Sequence, residues 1–228
     1  MKPATIFIAI PAYNEGSVLK ETLSPLIASG YSLVVVDDGS QDDTWKILNQ
    51  LPIHALRHPI TRGQGAALQT AMTYALEQNA DIIVHFDADG QHDSNVIPEL
   101  IQSILEEEAD IVLGSRFLRP ADRQAVPIGR RFLLQIAKLV NGIMTGLWLS
   151  DAHNGVRALS SKAAQKIKLQ EDGFAHATEI LQQIRAHKLQ YAEVPTSIIY
   201  TEYSRYKGQR FWNAFDILFD LFLGRIFK

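Results

Sequence analysis

The sequence predicts an α/β fold: a mostly parallel central sheet flanked by helices. Three observations point to it. Short β-branched apolar runs alternate with helix-like stretches through the first half of the chain. Those runs are continuously apolar, which suits strands buried on both faces by crossover helices. Residues that carry chemistry collect just after the strands, where a doubly wound sheet binds its ligands.

Strands are expected at residues 5–10, 33–36, 53–56, 82–86 and 111–113, with helices at 16–28, 42–50, 64–78 and 94–107 between them. Asn14 or Ser17, Ser40 or Asp42, and Asp93 or Ser94 supply helix-start signals, because their side-chain oxygens can accept from free N–H groups of a first turn. The second half reads differently. Residues 117–128 hold two prolines and three charges and suit a surface loop. Helical patterns follow at 129–149, 161–169 and 175–187, and a last strand at 191–200 leads to the basic stretch TEYSRYKGQR.

With 228 residues the chain suits one sizeable domain. A formal net charge of −3 offers no basic excess for a nucleic-acid partner. There are no cysteines, which removes disulfides, thiolate metal ligands and a cysteine nucleophile, and agrees with a reducing cytoplasm. The opening MKPATIFIAIPAYNE reads as a first strand rather than a leader, and no run is long enough to span a bilayer.

Three strand ends bring candidate ligand-binding residues to one crevice: Pro11-Ala12-Tyr13-Asn14-Glu15, Asp37-Asp38-Gly39-Ser40 and Asp87-Ala88-Asp89. Taken alone, Asp87-Ala88-Asp89 is explained by a solvated turn. It also suits a hard divalent cation, Mg²⁺ or Mn²⁺, whose shell is completed by substrate phosphates. Asp37 and Asp38 suit turn chemistry or contact with a base or ribose. Gly63 and Gly65 precede an Ala-rich helix without forming a dinucleotide fingerprint or a P-loop, so close packing and phosphate contact both fit. Arg116, after the fifth strand, is placed to answer a diphosphate. His85 reads as a residue at the edge of the core, and the role of His92 stays open.

The set PAYNEG, VVVDDGSQDDT, RGQGAA, FDADGQHD, GSR and DAHNGVRA resembles the family 2 glycosyltransferases, in particular the dolichol-phosphate mannose synthase and polyprenyl-phosphate sugar transferase branch. The resemblance spans roughly residues 4–200. It implies a GT-A fold in a single domain over 1–210, with a Rossmann-like nucleotide-sugar and metal half to about residue 116 and an acceptor half beyond it. It also implies inverting transfer of a sugar from a nucleotide-sugar donor, UDP- or GDP-linked. On that likeness Pro11, Ala12, Tyr13 and Glu15 line the donor nucleotide, Asp38 contacts its base, and Gly65 and Ala88 border it. Asp87, Asp89 and Gln91 hold the metal, and Arg116 sits near the diphosphate. Asp151, Asn154 and Arg157 match an acceptor-side motif, and Glu179 a recurrent acid. Asp89, Arg116, Asp151 and Glu179 are the catalytic candidates, and Arg205 and Lys207 stand where the branch often carries a phosphate-binding loop.

The stretch 211–228 places Phe211, Phe215, Leu218, Phe219, Phe222 and Ile226 at helical spacing, with basic residues at both ends, Arg210 just before it and Arg225 and Lys228 at its close. It reads as an amphipathic helix for a membrane surface or a small integral membrane protein. The expected setting is the cytoplasm, peripherally at the membrane face, with a polyprenyl phosphate as acceptor and self-association into a homo-oligomer allowed. A carbohydrate hydroxyl acceptor is the second reading. A non-catalytic nucleotide-sugar binding or scaffold protein is the third, and the intact carboxylates argue against it.

Overall fold

The computed structural model describes residues 3–126, 128–151 and 154–199. In chain order the strands are β1 (Ile6–Ala12), β2 (Ser32–Asp37), β3 (His54–Arg57), β4 (Ile82–His85), β5 (Ile111–Ser115), β6 (Arg157–Ser160) and β7 (Tyr191–Pro195). The helices are α1 (Leu19–Ala28), α2 (Thr44–Leu48), α3 (Gln64–Glu77), α4 (Ile97–Leu105), α5 (Pro120–Ala125), α6 (Ile128–Thr145), α7 (Ser161–Lys166) and α8 (His176–Ala186). The seven strands form one sheet in the order β3-β2-β1-β4-β6-β5-β7. All pairs are parallel except those of β6, which runs antiparallel to both β4 and β5.

Both faces of the sheet are buried, which is why its strands read as unbroken apolar runs. On one face Phe7, Ala9, Val34, Val36 and Ile83 pack under α3, α7 and α8. On the other, Ile8, Ile10, Val35, Val84 and Val112 pack under α1 and α4. Ala67, Ala71 and Ala75 of α3 are fully buried, and their small side chains let that helix lie close on β1 and β2.

Two topological facts position the site. The chain leaves β1 for β2 and β3, then returns to β4 on the other side of β1, so the order reverses between β1 and β4. The carboxyl ends of those two strands are therefore adjacent. Being antiparallel, β6 then brings the residues directly ahead of its own start, 154–156, to that same edge, with Arg157 opposite His85.

Among the described residues, seven of the eight helices and six of the seven strands match expected segments, with shifted ends. β6 has no counterpart among the expected strands, since four residues are too few to show a period. Residues 117–128, expected as a loop, contain the short helix α5, which opens on Pro120. The last strand stops at Pro195 rather than running to 200; a single bridge, His92 to Ile198, follows. Asp93 accepts from the Asn95 N–H, as its capping signal suggested.

The start of α3 is clamped by the loop before α8. The N–H groups of Gly65 and Ala66 donate to Asp172 O, at 2.8 and 3.2 Å. A Cβ on Gly65 would collide with the Glu171 carbonyl oxygen. We expect Gly65→Ala to lower the unfolding free energy by about 1–3 kcal/mol through this overpacking, measured by urea denaturation. An unchanged midpoint would show that the loop is free to move away.

Candidate functional site

The site is built from side chains that hold backbone. Beyond β1, Asn14 takes φ 52° and the loop turns against the segment after β2. Asn14 N–H donates to Ser40 Oγ (2.9 Å), Glu15 N–H to Thr44 Oγ1 (2.9 Å) and Gly16 N–H to Asp42 Oδ2 (3.0 Å). Asp38 N–H donates to Ala12 O at 2.8 Å. Pro11, Ala12, Tyr13 and Glu15 are thereby fixed beside Asp38, with the Tyr13 ring exposed and Glu15 buried.

Asp38 is buried, and its oxygens are committed to the protein. They accept from the N–H groups of Arg62 (3.0 Å) and Gly63 (2.7 Å) and lie 2.7 Å from His58 Nδ1. His58 Nε2 in turn meets Thr70 Oγ1 of α3 at 2.9 Å. The acid at the end of the second strand therefore holds the 62–63 turn, and with it the start of α3. His58, which the sequence reading did not single out, orients that acid.

Asp87 and Asp89 follow β4. Gln64, the first residue of α3, donates from Nε2 to Asp87 Oδ1 at 2.9 Å, and His92 Nε2 stands 3.5 Å from Asp87 Oδ2. A Cβ on Gly155 would overlap the Asp87 carboxylate, so any side chain there must displace that carboxylate. Gln91 donates to both oxygens of Asp89, from its backbone N–H at 3.0 Å and from Nε2 at 2.7 Å.

The two carboxylates titrate apart. Burial pushes Asp87 upward, but the hydrogen bond and charge of His92, with the charge of Arg157, hold it below the ordinary range. Burial, the adjacent Asp87 and then Glu15 raise Asp89 to about 6. Arg157, fully buried, is brought down to about 10 by burial and partly restored by Asp87. Burial and then Arg157 bring His176 down to about 4, and its Nδ1–H donates to Gly173 O at 2.8 Å. His85, also buried, is held well below its ordinary value by burial, then by Arg157 and His176.

Arg116 and Asp151 meet each other. The guanidinium donates from Nε to Asp151 Oδ2 (2.5 Å) and from Nη2 to Oδ1 (2.7 Å), and both side chains are buried. Asn154 Nδ2 donates to Thr196 Oγ1 at 2.6 Å, and Arg157 Nη2 to Asn154 O at 3.2 Å. Glu179 accepts from the N–H groups of Gln170 and Glu171, so it shapes the loop that clamps α3. The α8 side chain whose charge acts on Asp87 is His176, one turn ahead of Glu179.

Residues 7–168 match the family described as Glycosyl transferase family 2. The chain belongs to that family. An uncharacterised protein of Methanocaldococcus jannaschii is 36% identical over 97% of this glycosyltransferase chain and 93% of its own length. The UDP-N-acetylglucosamine–dolichyl-phosphate N-acetylglucosaminyltransferase of Methanococcus voltae is 31% identical over 100% of this chain and 99% of its own. Among solved structures, glucosyl-3-phosphoglycerate synthase from Mycobacterium tuberculosis, in complex with Mn²⁺, UDP and phosphoglyceric acid, superposes with a TM-score of 0.67. It is 19% identical and covers 90% of this chain and 74% of that one, a likeness of fold.

The glycosyltransferase thus gathers Pro11–Glu15, Asp38, Asp87, Asp89, Gln91, Asn154 and Arg157 at one edge of its sheet, with the Arg116–Asp151 pair at the end of β5. Arg205, Lys207 and the 211–228 stretch lie outside the described residues. Gln64, His58 and His176 were missed in sequence. Gln64 had one usable signal, its place at a helix start directed toward the strand ends.

Among the described residues no three His, Cys, Asp or Glu side chains form a complete metal cluster. The donor set nonetheless fits a hard cation. Two carboxylates stand close enough to raise Asp89, and the Gln91 amide already reaches one of them, so a positive charge relieves their repulsion.

Because the folded state raises Asp89 above the ordinary carboxylate value, its contribution to stability falls as pH rises from about 4 to about 6. His176, lowered by the fold, has the opposite slope between about 6.5 and 4. That slope cancels when wild type and Asp89→Asn are compared. In chelator-treated buffer the difference in urea stability should shift in favour of Asp89→Asn between pH 4 and pH 6, then stay level to pH 7. A pH-independent difference would contradict it. Asp151→Ala should cost about 3–5 kcal/mol by removing the carboxylate that takes both Nε and Nη2 of the buried Arg116, whereas Arg116→Met with Asp151→Leu should recover most of that loss. Thermal and urea unfolding measure both.

Proposed function

We propose that the chain is an inverting, divalent-metal-dependent glycosyltransferase that moves a hexose from a UDP- or GDP-sugar to a polyprenyl phosphate, dolichyl or undecaprenyl, at the cytoplasmic face of the membrane. The observation that carries the reading is the Asp87–Asp89 pair: two desolvated carboxylates at the reversal point of the sheet, with Asp89 raised by burial and then by Asp87. Such a pair is costly unless a ligand supplies positive charge.

When bound, Mg²⁺ or Mn²⁺ would supply charge stabilisation for the diphosphate leaving group, with Asp87, Asp89 and Gln91 as its protein ligands. The chain's own residues do the rest. Pro11, Ala12, Tyr13 and Glu15 border the nucleotide. Asp38 acts at one remove, by holding the Arg62–Gly63 turn where the donor lies. Gly65 packs the start of α3, and Ala88 is buried between the two acids. Arg157 places positive charge behind Asp87.

The state of the candidate bases supports a phosphate acceptor over a sugar hydroxyl. A hydroxyl needs a base within hydrogen-bond reach, whereas a phosphate monoester is already anionic near neutral pH. Asp151 has both oxygens on Arg116, and Glu179 binds the N–H groups of Gln170 and Glu171. The likeness to a dolichyl-phosphate transferase points the same way. Arg205 and Lys207 are assigned to the acceptor phosphate.

Labelled UDP- and GDP-sugars offered with undecaprenyl phosphate test this. Label should enter the organic phase with one donor class, and chelation should abolish the transfer. Label found only in water-soluble glycan would overturn the acceptor. Asp89→Asn should lower transfer by about 10²-fold or more, of the order seen when one electrostatic partner of a transition state is removed. It should also abolish the rise in melting temperature that Mn²⁺ gives the wild type.

A further inference from the structure

Helix α6 is turned inside out for a surface helix. Its outward side carries Ile128, Phe132, Ile136, Leu139 and Ile143 at steps of four, four, three and four residues, which is one stripe of an α-helix. Ile128 is 83% exposed, Phe132 68% and Ile143 71%. Among the residues of α6 whose burial is described, only Gly129 and Gln135 join them on that exposed side. Trp148, just beyond the helix, is 62% exposed. The opposite side carries Ala137, Asn141 and Thr145 inward, and α6 packs on α8. A helix that exposes its apolar stripe so completely is made to cover it with something else.

We infer that α6 lies in the plane of an anionic lipid bilayer, its apolar stripe sunk into the acyl boundary. Charge identifies the occupant. In a chain of net charge −3, α6 holds Arg130, Arg131 and Lys138 and no acidic residue. Arg131 and Lys138 fall about 100° and 120° from the middle of the stripe at 100° per residue. Both lie on the same flank of the apolar face: the Lys138 stem can lie along the interface with its charge at the lipid headgroups, while Arg131 Nη2 donates to Val126 O at 3.2 Å and holds the turn ahead of the helix. Aromatic Phe132 and Trp148 suit the same boundary. No helix among the described residues is long and apolar enough to cross a membrane, so α6 lies on the surface and does not span it.

Topology places this face where a lipid substrate is needed. The excursion from β5 through α5 and α6 leaves at Arg116 and returns at Asp151, and those two residues are bonded to each other. The membrane-facing helix is thus closed off at its base by an ion pair at the edge of the sheet that also bears Asp87. The inference deepens the proposed function and rests on it for the purpose of the docking, namely to bring a lipid-anchored phosphate to the carboxylates.

The lack of cysteine makes a direct test simple. Phe132→Cys and Ile143→Cys, each in the full chain, are labelled with an environment-sensitive fluorophore and mixed with vesicles of phosphatidylglycerol and phosphatidylcholine, or of phosphatidylcholine alone. The expected result is red, hydrated emission without vesicles and a blue shift with gain of intensity on the anionic ones. Emission unmoved by vesicles would overturn the inference. So would emission already blue without lipid: independent of protein concentration it would mean that this chain's own 211–228 segment covers the face, and dependent on it that a second copy does. In parallel, Ile136→Glu with Leu139→Glu should cut the vesicle-bound fraction at least tenfold while the near-ultraviolet spectrum stays that of the wild type; retained binding would sink the idea. Because neither readout needs turnover, a chain that docks yet transfers no sugar refutes the proposed reaction alone. A chain that glycosylates a short soluble polyprenyl phosphate yet never docks refutes the docking alone.

Discussion

The packing of Gly155 on the carboxylate of Asp87 is the contact on which the two parts of this chain converge. Asp87 ends the strand beside the sheet's reversal point, and Gly155 belongs to the segment that enters the antiparallel strand β6. Around the same carboxylate come Gln64 from the start of α3, His92 from the following turn and the charge of Arg157 from β6. A carboxylate with so many protein neighbours keeps its charge, and the electrostatic cost passes to Asp89, which shares the edge. The division of labour follows: Asp87 is the fixed member and Asp89 the one whose ionisation is pushed up toward neutral pH.

Support for that edge extends well beyond the groups that would touch a substrate. Thr70, His58 and Asp38 form a chain of contacts that ends on the backbone of the 62–63 turn. Glu179 does the same for the loop at 170–171, which lies against the start of α3. Both devices use a carboxylate to satisfy backbone N–H groups that no regular element pairs, and both terminate at the helix that delivers Gln64. The turn after β3 and the loop ahead of α8 are thereby held through a single helix start.

What the sequence made legible follows from distance along the chain. The buried strands could be read because burial on both faces writes itself into consecutive residues. The strand ends could be read because acids after an apolar run need a reason to be there. β6 could not, because Arg-Ala-Leu-Ser becomes a strand only through neighbours on both sides. The pairing of Arg116 with Asp151 was equally hidden: each reads alone as a residue awaiting a ligand, and only the fold closes the 35-residue separation. Asp38 was legible as important and illegible as to how, since an acid that faces a base and one that grips a turn look the same in sequence. The stripe on α6 was read as a helix but not as an outward face, because periodicity reports that a helix has two sides without saying which is inside.

The backbone bond from Ile199 N–H to Gln91 O, 2.8 Å long, ties the turn that carries Asp89 and Gln91 to the segment directly ahead of Arg205 and Lys207. Beside it, His92 bridges Ile198. A ligand that displaced the Gln91 backbone would be felt at Ile198 and Ile199, and linkage would make the effect equal in both directions. Any coupling carried by this tie is a property of two peptide units, open to change by substitutions that touch no ligand.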